Sequence, residues 1–316
     1  MSHVISRLDG TGAGAGTGAR SLRGRIGARV NATVHGGDLH LARYQGPPGD
    51  PGLFGPDSVV WRVHGDIPGM FTGGLAALLL QSLHPLAIAG VDQHSDFRQD
   101  PIDRLNRTAG FVSVTSYGST EAAEAALTRV RRVHEYVRGT APDGRAYSAG
   151  DPELLTWVHA AETACFLAGY QAFGRGRLSA AEQDRYFAEA AVVAERLGAT
   201  QIPVSTAGMR TYFAAVRGEL GPSEAALDAV RFLRGFGATP GQRAAVRLLM
   251  NGAVSLLPRW AADALELRRP LLARTCLDRP AVHALGAVMR YGCEPSAIIG
   301  TARARATAPV GTPLTD

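Results

Sequence analysis

The sequence predicts an all-α protein: one bundle-like domain of many helices over about 55–300. Ala and Leu dominate a chain that is 46% hydrophobic, and both residues favour helix. Strand-type alternation is hard to find, and no internal repeat is visible. Helix caps and glycine stops bound the apolar stretches.

Residues 1–50 stand outside that domain. They are rich in Gly and Arg and lack periodicity, so a disordered segment is expected, most clearly at 10–20, GTGAGAGTGAR. No strand precedes those glycines and no βαβ unit follows, which removes a phosphate loop. The first apolar helix covers about 70–91. Its stretch 71–91 is about long enough to span a bilayer, but Gln81, Ser82, His84 and Pro85 near the middle are costly in lipid. A buried, Pro-kinked core helix is expected, with His84 bonding a carbonyl freed at the kink.

A helix at about 101–117 starts with Pro101 in its first turn. The next runs over 120–138, capped by Ser119 or Thr120 and stopped by Gly139. Another starts at Asp151 and Pro152 and ends before Gly174. Further helices fit about 179–197, 206–219, 222–235, 240–255, 258–267 and 280–290. The tail, 301–316, is expected to be unstructured.

All 33 basic residues are Arg, which removes lysine Schiff-base and lysine general-base chemistry. The net charge of +5 is spread along the chain without a basic–aromatic run, so nucleic acid is not an expected partner. Three well-separated cysteines, Cys165, Cys276 and Cys293, give neither a disulfide framework nor a zinc spacing. With no apolar signal segment at the start, a cytoplasmic location is expected.

Of nine histidines, His134 has the strongest physical case. Leu127, Val130, His134 and Val137 follow one helical face, so the imidazole lies in the apolar stripe. A neutral imidazole there can ligate haem iron, or simply be a hydrogen-bonded core residue. Arg131 and Arg138 flank it at i−3 and i+4, spacings suited to haem propionates. His159 shares a face with Leu155, Glu162 and Phe166. A His159–Glu162 pair can bind a non-haem metal, with His94 or Asp96 from the DQHSD cluster, or satisfy itself.

Taken in order, the segments LLLQSLHPLAIAGVDQHSDF, RLNRTAGF, RVHEYVRG and AYSAGDPELLTWVHA resemble the oxygenase family of MpaB and the latex-clearing rubber oxygenases. The resemblance spans roughly 60–235. It implies an all-helical fold enclosing haem b, with O₂ as co-substrate and His134 as the proximal iron ligand. The family's distal Arg-x-x-Lys-Thr motif is matched by Arg104, Arg107 and Thr108. Arg107 replaces the motif lysine and has no lone pair to offer iron, which leaves the distal position to water or dioxygen. His159 and His94 are carried over as pocket residues.

The implied activity is a haem-dependent oxidation of a small apolar, isoprenoid-like or secondary-metabolite substrate, supplied by an electron donor. No transmembrane segment is expected, and peripheral membrane contact stays open. The rival readings are the non-haem metal enzyme and a haem-binding protein without turnover.

Overall fold

The computed structural model describes residues 21–35, 39–95, 101–237, 239–294 and 296–310. The expected disorder of 1–20 and of 311–316, and the candidate Asp96, lie outside the described residues. The architecture is all-α, with one small hairpin. Helices run in the order α1 (Leu22–His35), α2 (Val59–His64), α3 (Ile67–Gln81), α4 (Pro85–His94), α5 (Pro101–Tyr117) and α6 (Thr120–Tyr136). After strands β1 (Arg138–Thr140) and β2 (Ala146–Ser148) come α7 (Pro152–Phe173), α8 (Ala180–Leu197) and α9 (Thr206–Val216). Then follow α10 (Glu224–Gly235), α11 (Pro240–Leu256), α12 (Arg259–Ala264), the single turn α13 (Leu271–Ala273), α14 (Arg279–Cys293) and α15 (Ala297–Thr307).

The α3–α7 pair forms the centre, and glycine makes the close approach possible. A Cβ on Gly169 would lie 2.2 Å from the Gly69 carbonyl oxygen, and one on Gly73 would lie 2.7 Å from that of Cys165. Around this crossing, Leu79, Leu83, Trp157, Met250 and Leu265 make a continuous buried core. Asp66 caps α3 by accepting from the Gly69 amide, and Arg290 of α14 pairs with the same carboxylate at 2.8 Å. The second Arg290 contact, to the Phe173 carbonyl at 2.7 Å, ties the end of α7 into the same knot.

Several expectations are corrected. The apolar stretch at 70–91 is two helices bent by 103°, not one kinked helix. Pro85 lacks an amide and keeps His84 out of the helical region, at φ −87°, ψ 118°. His84 therefore caps α4 through Nδ1, which accepts the Leu86 amide at 3.3 Å, rather than bonding a freed carbonyl. No single helix among the described residues is long and apolar enough to cross a membrane.

The helix at 120–138 ends two residues early. Arg138 opens β1, where Gly139 faces Tyr147 across the antiparallel pair. Residues 22–35 are helical rather than irregular, and α1 crosses α14 where Gly27 meets Gly292. Residues 301–307 belong to α15, not to an unstructured tail. There Arg305 is buried and donates to the carbonyls of Tyr44, Asp50 and Tyr117.

Candidate functional site

Five helices close a ring. The short helix α2 packs on α5, α7 and α8, while α6 bridges α5 and α8, and α8 lies on α7. Each carries part of the predicted site or its support.

On α6, Ala123 and Leu127 are buried, and His134 sits half-buried two turns further along the same face. Burial lowers the His134 pKa, so the neutral imidazole is favoured. Neither ring nitrogen has a hydrogen-bond partner among the described residues. Its arginine flanks behave differently from the helical expectation. Arg131 turns to α8, donating to the Arg196 carbonyl at 3.0 Å and to Thr128 Oγ1. Arg138 lies in β1 and has left the helical face, because the helix has already ended at Tyr136. His94 does come close to this turn: its Nε2 donates to the Arg138 carbonyl at 3.2 Å, and its ring meets Tyr147 edge-on.

On α5, the spacing of Arg104, Arg107 and Thr108 puts all three on one side of the helix. Arg104 is half-buried and reaches Ser95; burial, then the neighbouring Arg107, lowers its pKa. Arg107 and Thr108 are exposed, and the Thr108 hydroxyl donates back to the Arg104 carbonyl. Between the arginines, Asn106 Oδ1 is buried without a partner.

On α7, the Asp151 side chain caps the first turn with Pro152 at its start, and His159 lies two turns in. His159 is buried, its Nε2 is unpartnered, and burial pushes its pKa down to about 4. Burial pushes the Glu162 carboxyl the other way, up to about 7. Among the described residues, no three His, Cys, Asp or Glu side chains come together as a metal-binding group.

The sequence left His64 without a role, yet it stands where three helices of the ring meet. Its Nδ1 lies 2.7 Å from Ser116 Oγ on α5, its Nε2 lies 3.1 Å from the Tyr186 hydroxyl on α8, and its ring packs on Phe166 of α7. The tautomer follows from proton accounting. Ser116 spends its proton on the Val112 carbonyl at 2.6 Å, so His64 Nδ1–H must donate to Ser116. The bare Nε2 then accepts from Tyr186. Burial, then the nearby His159, pushes the His64 pKa down to about 3, which keeps this chain neutral. No local spacing rule joins residues 64, 116 and 186.

The family model of the ER-bound oxygenase mpaB/B'/rubber oxygenase catalytic domain matches residues 61–291. That span includes all five helices of the ring except the first two residues of α2. No curated protein and no solved structure matches the chain. The ordered motifs, the helical architecture and a match over most of the length agree: the chain belongs to the MpaB/rubber oxygenase family and carries its oxygenase catalytic domain.

Proposed function

We propose that this oxygenase uses haem b, held by His134, to oxidise a small apolar substrate with O₂. The observation that carries this reading is the state of His134. It is half-buried, kept neutral by burial and without a partner at either ring nitrogen among the described residues. An iron ligand must offer an unprotonated nitrogen, and His134 meets that condition. The unpartnered Nε2 of His159 and Oδ1 of Asn106 fit the same interpretation, because buried polar atoms are normally paired.

When bound, haem supplies an iron that takes up and activates O₂, chemistry that no side chain here provides. The protein contributes position and charge. Arg104 and Arg107 hold positive charge on α5 and would stabilise negative charge as it develops on oxygen. Arg107 stands where the rubber oxygenases carry the motif lysine, and its guanidinium has no lone pair to offer iron.

The test is spectroscopic. Purified protein reconstituted with haemin should show a Soret band, and His134→Ala should weaken or abolish it. An unchanged band in that variant sinks the assignment. Loss in His159→Ala alone would move the ligand to α7.

A further inference from the structure

The outer face of the α13–α14 segment groups five of the eleven exposed large hydrophobic side chains among the described residues. Leu271, Leu272 and Leu277 are 64%, 75% and 66% exposed, a large apolar display for three neighbouring residues. The apolar stripe continues along α14, where the outward positions Ala284, Ala287, Val288 and Tyr291 recur at three- and four-residue spacing.

Charge is arranged around the stripe with one sign. From 271 to 293 the sole carboxylate is Asp278, which is buried and paired with Arg269 at 2.7 Å. The same span carries Arg274, Arg279 and Arg290. Helix α1, packed alongside α14, adds Arg23, Arg25 and Arg29 and has no acidic residue. Arg274 reaches only a backbone carbonyl, that of Ser255, so its charge is not neutralised there. Where α1, α7 and α14 converge, a cleft of about 470 Å³ is lined by Arg23, Arg175, Arg290, Tyr291 and Glu294. Arg175 already pairs with Glu294, and Arg290 with Asp66, which leaves Arg23 as the excess cation in it.

We propose that this face, Leu271 to Tyr291 with the adjoining α1, docks peripherally on a lipid bilayer bearing anionic headgroups. The leucines enter the acyl boundary and the arginines meet the headgroups, the division of labour of an interfacial amphipathic helix. A second copy of the chain is the poorer occupant. A two-fold contact would set one arginine rim against the other with no exposed carboxylate on the stripe to pair with. The inference is independent of the haem assignment, since none of its residues belongs to the five-helix ring's predicted site.

The full chain should co-sediment with phosphatidylcholine vesicles containing about a third phosphatidylserine, and much less with phosphatidylcholine alone. The exposed arginine pair tested by Arg25→Gln/Arg279→Gln should weaken binding about fivefold per charge removed. Leu272→Glu/Leu277→Glu should abolish it while helix content and melting temperature stay unchanged, because both side chains are exposed. Absence of vesicle binding by the parent protein overturns the proposal. So does equal binding by the leucine variant, which would put the contact elsewhere. A dimer that the same variant dissociates, with no vesicle binding, would assign the face to self-association instead. None of these readouts depends on a Soret band.

Discussion

Glu162→Gln isolates one buried titrating group inside the five-helix ring. Unfolded, this carboxyl ionises near 4.5; folded, burial raises its pKa to about 7. Between those values the native chain holds a proton that the unfolded chain has released. The stabilisation is therefore complete below pH 4.5 and is lost as pH rises through 7. At about 1.4 kcal/mol per pH unit, the loss sums to about 3 kcal/mol. Glu162 keeps some solvent contact, so this is an upper bound.

His64 and His159 act in the opposite sense. Their pKa values fall from 6.5 to about 3 and about 4, so their contribution is present above 6.5 and lost on acidification. Two protons against one leave the parent gaining about 1.4 kcal/mol per pH unit between 4.5 and 6.5 from these three groups. Glutamine keeps the size and removes the titration. The variant should match the parent near pH 4.5 and exceed it by up to about 3 kcal/mol at pH 8. Urea unfolding followed by circular dichroism across that range measures the difference. A variant curve parallel to the parent's at all pH values would refute the reasoning.

Two further outcomes concern the frame that holds the ring. Arg290→Met leaves Asp66 buried without its cation and should cost about 3–5 kcal/mol in urea unfolding, since breaking one side of a buried pair is expensive. Gly169→Ala drives a methyl into the Gly69 carbonyl and should cost upwards of about 1–3 kcal/mol as α3 and α7 separate, whereas Gly176→Ala, with open space around it, should be near neutral. Equal melting temperatures for the two alanine variants would remove the close crossing from the account.

The fold was legible wherever local chemistry decides it. The helix 101–117 matches its expected span, and Asp151, Pro152 and Gly174 mark the ends of α7 as their side-chain chemistry requires. Failures occurred where distant partners decide. The end of α6 is set by pairing of Arg138 with Ser148, which an apolar stripe cannot reveal. The helix α1 draws its support from α14, more than 240 residues later, through two glycines that only a folded chain brings together. At the site, helical spacing put His134 in the apolar stripe of its helix, whereas Arg104, Arg107 and Thr108 came from the family resemblance. Spacing could not find the His64–Ser116–Tyr186 chain, whose members come from three helices.

Arg305 has a consequence for the order in which the molecule can be completed. Its guanidinium clasps the carbonyls of Tyr44 and Tyr117, the first between α1 and α2 and the second at the end of α5. During synthesis every helix of the ring leaves the ribosome long before residue 305 does. Until then those two carbonyls lack their buried donor, and the seam beside α5 stays open. Closure of the oxygenase domain thus waits on one arginine that lies more than a hundred residues beyond the last helix of the ring.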